Sequence, residues 1–559
     1  MPESWQPRAQ LLEALAASVP DILASQDKAT GRFGSQPWIC ADQNRIFPLA
    51  AAWATQAKEN PYYHSAELLE AIMAGGDALI DAQDEQGKWT FRKKDNSTWG
   101  QIHMPWTYSR WIRAFQLIGD AMPPERRRRW EEGLVLGYTG IANTALGRVH
   151  NIPCHHAMGL YCAAMVFGRE QWRRQATEFM AKVVAEQSPD GYWSEHFGPV
   201  VRYNFVYSDS LGAYYAMSRD ATVLEALRRA AIFHANFTYP DGSAVETVDE
   251  RNYYHGGVAL GNVGFSFTPE GRGYLAHQFA LHRSAGRGIS EDLAASLLLY
   301  GEEGDIVPMA ATRDEYTYVM GDGEALVRRR RPWFICVSAI ACEQPQSRWQ
   351  QDRQNFLSVF HDHTGLILGG GNTKLQPFWS NFTVGDTSLL AHDPADTSPE
   401  FAPQGDLVHL PSTARLLPGR ESPGVELAYG AESCRVTLRP ESDDRLIIVC
   451  EASARSGKPV EGHITLLPHL GAEMKNASGT TVKLGEETIE WKARDVGGWI
   501  EHAGWRLSIP DGARVLWPKR CFNPYAKDGV GSLSSARIVV ALPFPSELQR
   551  HELTLHIVP

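Results

Sequence analysis

Three short segments of the chain gather residues that could carry acid–base chemistry. The first runs from Arg148 to His156 and also holds Asn151 and His155, directly before a long apolar helical stretch. An imidazole can take or give a proton near neutral pH, and an amide or a guanidinium can bind a carboxylate. A helix cap needs only one polar side chain, so this density favours function over capping. Because Pro153 follows closely, the pattern predicts a turn across the segment.

The second segment follows an Asp-Gly turn and contains Glu195, Arg202, Tyr203 and Tyr207. The two tyrosines are four residues apart and would share one face of a helix. A phenol beside a guanidinium can serve as a proton donor, and its pKa falls next to a positive charge. The alternative is that these rings pack between helical hairpins.

A second copy of this segment follows. It starts at Asp241 and reaches Glu246 and Tyr254 at the same spacing as Asp190, Glu195 and Tyr203 in the first copy, with Tyr253 and His255 on either side of the last tyrosine. A duplicated Asp-Gly turn and Glu are expected to be structural. The Tyr and His residues are freer to be functional.

The third segment contains His361 and His363 at the start of a β-rich region. If a strand extends through both, they lie on the same face. A catalytic or substrate-binding His, a structural His and a metal ligand all remain open, because a metal would need further ligands. The sequence requires no cofactor, although a structural divalent metal in the β-rich region is an alternative.

A repeated sequence motif indicates the elements that must position these segments. Copies begin at Gln26, Gln83, Gln187 and Asp241, and each is a glycine turn after a helical stretch, followed in the first three by an aromatic residue. A period of about 50 residues is typical of stacked helical hairpins. The repeat therefore predicts an α/α toroid or incomplete barrel.

The chain changes character towards its C-terminal half. Residues 1–345 consist mostly of helical patterns, whereas 346–559 contain short alternating runs broken by Gly, Pro and Asn. Such runs predict an antiparallel β-sheet domain, a sandwich. The expected fold class is α+β and multidomain, with a toroid at 1–345 and a sandwich at 346–559.

Composition excludes several classes of protein. The chain has 559 residues, which calls for two or more domains, and its net charge of −11 argues against general nucleic-acid binding. Eight cysteines without a C-x-x-C pair argue against a zinc ribbon or redox motif. No apolar run is long enough to span a membrane. The N-terminus shows no signal peptide, so we expect a cytoplasmic protein, or a periplasmic or secreted one if an export signal was trimmed.

Aromatic residues near the repeat turns are a further candidate feature. Trp99, Trp106 and Trp193 could pack between hairpins or present flat faces to sugar rings. Tyr108 and Arg110 follow Trp106 closely and join it as candidates for a substrate cleft.

The architecture and motifs together resemble the heparinase II/III and alginate-lyase group of polysaccharide lyases. These enzymes carry an Asn/His element at a helix start, which Asn151 with His155 or His156 would match. A motif close to D-G-x-x-x-E-x-S-x-x-Y-H follows, and a His comes from the β-domain, where His361 or His363 would match.

The first copy of the turn segment departs from that motif. Asp190, Gly191 and Glu195 match its opening, but the Ser is missing and Tyr203 lies eight residues past Glu195. Asn204 also stands where the motif has His. The choice between Tyr203 and Tyr207 is therefore open.

The resemblance implies cleavage of a uronic-acid glycan by β-elimination. Tyr207 or Tyr203 would be the acid and also a candidate base, His156 the base or carboxylate neutraliser, and His361 a partner. Asn151 with Arg148 or Arg202 would neutralise the uronate carboxylate. The implied partner is an acidic polysaccharide or oligosaccharide, with no nucleic acid and no membrane. The candidate substrate-binding residues are Arg148, Arg202, Glu195, Trp99, Trp106, Tyr108, Arg110, Trp193, Tyr254 and His363.

The alternative function is a glycoside hydrolase on an α/α toroid, acting on oligosaccharides with saturated or unsaturated uronic acids. Such an enzyme needs a carboxylic acid and usually a second carboxylate, and the chain supplies Asp190, Glu195, Asp209, Asp241, Glu246 and Asp249. A terpene cyclase is disfavoured because no D-x-D-D motif is present. A sugar-binding protein without activity would leave the clustered His, Tyr and Arg residues unexplained.

Overall fold

The computed structural model describes residues 3–92, 98–393, 395–545 and 549–558. The chain forms two compact units. The helical unit comprises residues 1–193, 203–233 and 260–309, and the sheet unit comprises 194–202, 234–259 and 310–559. Two short segments of the N-terminal half therefore belong to the sheet unit.

The α-helices occupy most of the N-terminal half. They are α1 (Arg8–Ala24), α2 (Ile39–Gln43), α3 (Ile46–Ala54), α4 (Ala66–Ala82), α5 (Pro105–Ile118), α6 (Pro124–Thr144), α7 (Asn151–Phe167), α8 (Glu170–Ala185), α9 (Val201–Ser218), α10 (Leu224–Asn236), α11 (Pro269–Ser284), α12 (Glu291–Tyr300) and α13 (Ala493–Val496). Ser65, Thr268 and Ser290 cap α4, α11 and α12 by accepting from backbone N–H groups of the first turn.

An inner ring of helices organises the helical unit. Helix α5 packs against α3 and α7, while α12 packs against α1 and α3 and so closes the ring. Between α7 and α12, His155 on α7 is hydrogen-bonded to Ser210 on α9. Asn262, beside the 3-10 turn Val263–Phe267, donates to the Phe205 carbonyl of α9 at 2.7 Å. The predicted toroid is confirmed.

The residues of the repeated motif connect successive helical hairpins. The Gln26 amide donates to the carbonyl of Ala71 in the next hairpin, and the Gln187 amide does the same to Ala226, both at 2.8 Å. Gly191 has a φ of 93°, and a Cβ there would lie 2.1 Å from the carbonyl oxygen of Arg229. A glycine is therefore required where each turn meets the next helix.

The strands lie mainly in the sheet unit. They are β1 (Ser4–Trp5), β2 (Trp89–Arg92), β3 (Thr98–Ile102), β4 (Gly304–Asp305), β5 (Glu315–Met320), β6 (Ala325–Arg330), β7 (Trp333–Ser338), β8 (Leu357–His361), β9 (Gly365–Leu368), β10 (Phe382–Val384), β11 (Thr413–Leu416), β12 (Gly424–Tyr429), β13 (Glu432–Ser442), β14 (Arg445–Ala452), β15 (Val460–Leu466), β16 (Glu473–Asn476), β17 (Thr481–Lys483), β18 (Ile489–Lys492), β19 (Trp499–His502), β20 (Trp505–Ser508), β21 (Arg514–Lys519), β22 (Arg537–Pro543) and β23 (Arg550–Ile557).

Two large antiparallel sheets build the sheet unit. One has the order β18-β21-β22-β15-β9-β8-β7-β6-β5, with β10 paired to β15, and the other has the order β11-β12-β13-β14-β23-β20-β19-β16-β17. Along β13, buried Cys434, Val436 and Leu438 alternate with more exposed residues. These residues join a shared core with strands of both sheets. The predicted fold class, a helical toroid followed by antiparallel sheets, is confirmed.

The sheet unit begins earlier than the sequence pattern suggested. Strands β5 to β7 span residues 315–338, a region read from the sequence as helical, and they pair directly with β8. Strands β6 and β7 are buried on both faces, so the alternation that marks a half-exposed strand is missing from them. The domain boundary at 345/346 itself stays a prediction.

All eight cysteines are free thiols. Among the described residues, no helix is long and apolar enough to cross a membrane.

Candidate active site

The Arg148–His156 segment is mostly helix. Helix α7 begins at Asn151 and includes Pro153 in its first turn, so the predicted turn across the segment was wrong. The first backbone N–H groups of a helix have no intrahelical acceptor, and proline is therefore tolerated there. Asn151 is buried at this helix start, whereas Arg148 is exposed before it.

His155 lies on α7 and is buried within the inner ring of helices. Its Nε2 is hydrogen-bonded to the Ser109 hydroxyl at 2.8 Å and its Nδ1 to the Ser210 hydroxyl at 3.2 Å. Burial, followed by the charges of Arg110 and Arg113, lowers the pKa of His155 well below its usual value. With both ring nitrogens engaged, this imidazole is placed to hold α5, α7 and α9 together.

His156 is equally buried. Burial and the neighbouring His103 lower its pKa to about 3. The ring is therefore neutral at neutral pH and is only 4% exposed. This position favours a structural role, and the predicted role as base stays a prediction.

The inner ring encloses a cavity of about 380 Å³. Trp106 and His155 form one wall, with ring centroids 5.7 Å apart and planes inclined by 28°. Arg110 donates to both carboxylate oxygens of Asp292, at 2.6 and 2.7 Å. Burial disfavours both charges, but their mutual attraction outweighs it, so the pKa of Arg110 is raised and that of Asp292 lowered. Burial also raises the pKa of Asp209, on the cavity wall, to about 6.

The two predicted catalytic tyrosines lie on the same helix, α9, as expected, but in different surroundings. Tyr207 is buried, and its ring stacks on Trp193 at 4.9 Å with an angle of 7° between the planes. The Trp193 indole donates to the Val183 carbonyl at 2.7 Å. Tyr203 is half-buried. Tyr207 and Trp193 are thus placed as packing of the hairpin joint.

The strand carrying His361 ends at that residue, so His361 and His363 do not form the expected pair on one strand face. His361 is buried, with its Nε2 2.9 Å from the Asp443 carbonyl, and its Nδ1 accepts from the backbone N–H of His363 at 3.1 Å. Both ring nitrogens are used. The His363 side chain is exposed.

Other candidate cleft residues serve local structure. The buried Tyr108 hydroxyl donates to the Gly87 carbonyl and accepts from the Gln83 amide at 2.7 Å, so it secures a repeat turn. Trp99 is 47% exposed and stacks on Phe91 with ring centroids 4.8 Å apart.

The second copy of the turn segment carries a different arrangement, which we call the Tyr253 cluster (Arg202, Tyr253, His255 and Arg537). The rings of Tyr253 and His255 stack at 4.5 Å, with 29° between their planes. Neither ring nitrogen of His255 hydrogen-bonds another residue in the described part of the chain. Unlike His155 and His361, this imidazole is exposed and available.

Two arginines define the electrostatics of the Tyr253 cluster. Burial, then the charges of Arg202 and Arg537, lower the pKa of His255 to about 4. The Arg537 guanidinium is buried, lies 4.7 Å from the Trp379 ring centroid, and donates to the Gly370 carbonyl. Burial lowers the pKa of Arg537 to about 10, so it keeps its charge at neutral pH. Arg202 is exposed.

The phenol of Tyr253 is the fourth group of the Tyr253 cluster. Burial raises the pKa of Tyr253, so its hydroxyl carries a proton at neutral pH. Tyr254 points elsewhere: its hydroxyl is 3.3 Å from the Ser243 hydroxyl and 3.5 Å from Asp241 in the Asp-Gly turn. Burial raises the pKa of Tyr254 as well, followed by the charge of Asp241.

Glu195 and Glu246 hold equivalent positions in the two copies of the turn segment, and both are buried. Glu246 accepts from the Tyr239 hydroxyl at 2.9 Å and from the Gly370 backbone at 3.0 Å. It thereby ties the Asp-Gly segment to the loop after β9, and the structural role expected for this residue fits these contacts. Glu195 lies in its own turn, where its N–H donates to the Gly198 carbonyl.

Among the described residues, no group of three or more His, Cys, Asp or Glu side chains is arranged to hold a metal ion. The alternative of a divalent metal in the β-domain therefore has no donor set among them.

Solved structures with this architecture come from polysaccharide lyases. Chondroitin AC lyase of Streptomyces coelicolor, solved with chondroitin sulphate, aligns over 99% of this chain and 80% of its own, with 13% identity and a TM-score of 0.52. Heparinase III aligns over 93% of this chain and 77% of its own, with 12% identity and a TM-score of 0.54. The chain shares the fold of these lyases. The resemblance inferred from the motifs is thus confirmed at the level of the fold.

Sequence comparison adds no closer relation, since neither a protein-family model nor a curated protein matches the chain.

The sequence did contain a signal for the Tyr253 cluster. The family motif ends in Tyr-His, and the second copy of the turn segment ends in Tyr254-His255, whereas the first has Tyr203-Asn204. Three additional residues between Glu246 and Tyr254 obscured the match.

Proposed function

We propose that this protein is a polysaccharide lyase that cleaves a uronic-acid-containing glycan by β-elimination. The observation that carries the proposal is the Tyr253 cluster, in which an available neutral imidazole, a protonated phenol and two guanidinium groups lie together. Its setting on a fold shared with lyases supports the same conclusion.

The protonation states suit a division of labour between His255 and Tyr253. The neutral His255 ring would take the proton from C5 of the uronate, and the resulting electron pair would form the C4–C5 double bond as the C4–O bond breaks. Tyr253 would donate its proton to the leaving oxygen. Solvent then removes the proton from His255 and returns one to Tyr253, so no water is added to the products.

The two arginines would stabilise the charge that develops on the uronate. Removing C5–H beside a carboxylate places a second negative charge on that group, which preorganised cations lower in energy. Arg202 is exposed and can bind the carboxylate in bidentate fashion. The buried Arg537 contributes its field to Tyr253 and His255.

With Tyr253 and His255 as the proposed acid and base, several residues named from the sequence no longer have a catalytic role in the proposal. The contacts of His155, Tyr207 and His361 and the burial of His156 support structural positions. Asn151 as a carboxylate neutraliser and Tyr203 as an acid stay predictions.

The cavity is too narrow for a sugar ring to enter the Tyr253 cluster. The cavity bordered by Arg202, Tyr253 and His255 measures about 20 Å³, which is the room needed by one water. A glycan would therefore meet these side chains at their exposed edges.

The test is ultraviolet absorbance during incubation with a panel of uronic-acid polysaccharides and oligosaccharides, because β-elimination creates an absorbing conjugated double bond. We expect a rise with at least one member. His255→Ala and Tyr253→Phe should each lower kcat by about 100-fold or more, the usual contribution of general acid–base catalysis.

Tyr63→Phe, which removes the hydroxyl of an exposed tyrosine in the helical unit, is the matched control and should keep full activity. Full activity in both cluster variants would reject the assignment to Tyr253 and His255. Absence of any absorbance change across the panel would reject the lyase.

One observation favours a second candidate function, a glycoside hydrolase. In the cavity of the inner ring, Asp209 has a pKa raised to about 6 and lies beside the Asp292 carboxylate and the Trp106 ring. A carboxylic acid that stays protonated near neutral pH can donate to a leaving group. New reducing ends without ultraviolet absorbance, abolished in Asp209→Asn, would establish this alternative.

A further inference from the structure

The sheet unit contains a second cavity, of about 350 Å³, which we call the Lys519 cavity. Its walls come from residues 374–378, 387–388, 391–392, 519–522 and 529–530. This volume falls at the lower end of the range for small-molecule sites and suits one or two sugar rings.

Lys519 supplies an unpaired positive charge to this cavity. Its ammonium lies 4.2 Å from the centroid of the Phe378 ring and forms no ion pair or hydrogen bond within the described part of the chain. The carboxylates of Glu461 and Glu490 act on Lys519 only through their charge, and both pair with Arg514, which lies 2.8 Å from Glu461 and 3.7 Å from Glu490. Burial, then the charge of Arg514, lowers the pKa of Lys519.

The other cations around the cavity are already paired. Lys374 is fully buried and lies 3.0 Å from Asp352, and the Arg520 guanidinium lies 2.5 Å from Glu486. An anion entering the cavity would therefore find Lys519 as the available charge. A partly buried ammonium without an ion pair is less well stabilised than a paired one, and a bound anion would supply the missing partner.

Apolar and hydroxyl groups complete the lining. The buried side chains of Leu375 and Phe522, together with Phe378, form apolar walls, while Thr387 and Ser388 bring hydroxyl groups. One cation, apolar walls and hydroxyls match a ligand with one acidic group, an apolar ring face and several hydroxyls. An acidic sugar has this combination.

The cavity also adjoins the Tyr253 cluster. Cys521 lines the cavity and interacts with the Tyr253 hydroxyl. A sugar held at Lys519 would thus lie next to the proposed catalytic residues.

We propose that the Lys519 cavity binds an acidic sugar unit and receives its anionic group at the Lys519 ammonium. The sugar class rests on the proposed function, and the binding site itself does not require catalysis. In a longer glycan, the unit bound here anchors the chain beside the Tyr253 cluster.

The direct test is competitive labelling of lysines with an amine-acetylating reagent, followed by peptide mass spectrometry. D-glucuronate should slow acetylation of Lys519 several-fold, while neutral D-glucose should have little effect. Exposed Lys527, on the same segment, is the internal control and should react at an unchanged rate in both cases.

The same labelling on the His255→Ala variant separates this proposal from the lyase proposal. Protection of Lys519 should persist there, whether or not the protein shows lyase activity. Equal acetylation rates with and without glucuronate would overturn the proposal. Equal protection by inorganic sulfate and glucuronate at the same concentration would overturn the sugar site and leave a simple anion site.

Kinetics provide a second readout if the protein is a lyase. Lys519→Met keeps the length of the side chain but removes one charged contact, so KM for an acidic oligosaccharide should rise about tenfold with kcat unchanged. Lys527→Met carries the same change of charge and should leave both constants alone. An unchanged KM in Lys519→Met would contradict the anchoring role.

Discussion

The candidate histidines differ in whether their ring nitrogens are already hydrogen-bonded within the protein. His155 and His361 each use both nitrogens, the first with two hydroxyls and the second with two backbone groups. His255 uses neither with any described residue and stacks on Tyr253. General-base catalysis needs a nitrogen lone pair that can reach the substrate, so availability, more than residue type, selects His255.

The lowered pKa of His255 gives a specific pH dependence. Because its folded pKa is about 4, the ring stays a neutral base at pH values where an ordinary histidine, with a pKa of about 6.5, is protonated. We expect kcat/KM to stay level from about pH 7 to about pH 5 and to fall below that. The Arg202→Gln variant should move the acidic limb upward, since it removes a neighbouring cation. An acidic limb centred near 6.5 in the wild type would contradict the assignment.

His156 links protonation to the stability of the helical unit. Its folded pKa of about 3 lies below that of an unfolded histidine, so between these values the unfolded chain binds a proton that the folded one does not. Stability should therefore fall as the pH drops from about 6.5. From pH 6.5 to pH 5 the loss amounts to about 2 kcal/mol at 1.36 kcal/mol per pH unit.

Replacing His156 by Gln should remove this dependence, because Gln does not titrate. Urea unfolding at pH 7 and pH 5 would measure it as a smaller shift of the midpoint in His156→Gln than in the wild type. His556→Gln, a change at a partly exposed site on β23, is the control and should behave as wild type. Equal shifts in wild type and His156→Gln would show that other groups dominate.

At the scale of elements, the Asp-Gly turns form the joints of the toroid. In the first three copies, a Gln amide donates into the next hairpin and a glycine lies against the backbone of that hairpin. The Trp89 and Trp193 indoles each donate to a helix carbonyl at the same offset, those of Leu79 and Val183. The repeated motif therefore makes the same kind of structural contact at several places in the toroid.

This contact predicts different costs at two glycines with positive φ. Gly168 ends α7 at a φ of 63° with no atom within 4 Å of a Cβ, so Gly168→Ala should cost about 1 kcal/mol of backbone strain. Gly191→Ala adds a collision with the Arg229 carbonyl to similar strain. We expect a loss of about 3 kcal/mol or more, seen as a clearly lower Tm. Equal Tm values for the two variants would contradict a close turn-to-helix contact.

On the scale of the whole molecule, burial controls reactivity as well as stability. Seven of the eight cysteines are buried and Cys342 is partly buried. Burial raises the pKa of Cys40 and of Cys154 to about 12, and that of Cys342 to about 11. The thiolate is the reactive form, so the native protein should be largely inert to thiol reagents.

A thiol titration with a chromogenic disulfide reagent would measure this. In the native protein we expect slow reaction at Cys342 alone, and after unfolding in guanidinium chloride all eight thiols should react. Fewer than eight in the unfolded protein would reveal a disulfide. Rapid reaction of several thiols in the native protein would mean that the core opens readily.

Local patterns in the sequence determined the architecture. The repeat spacing predicted stacked hairpins and the alternating runs predicted antiparallel strands, because turn chemistry and hydrophobic periodicity act over a few residues. Strands β6 and β7 were not recognised from the sequence, since a strand buried on both faces loses its alternation.

The candidate site was decided largely by the tertiary structure. The sequence named His155, His156 and His361 as catalytic candidates and His255 only as a residue of the second copy that was free to be functional. Whether each ring is buried, bonded or available depends on partners far along the chain. His155 is held by Ser210 and His361 by Asp443, while the pKa of His255 responds to Arg537. Desolvation and charge act through space, so residue types alone could suggest the chemistry, but only the fold could single out Tyr253 and His255 for the role proposed above.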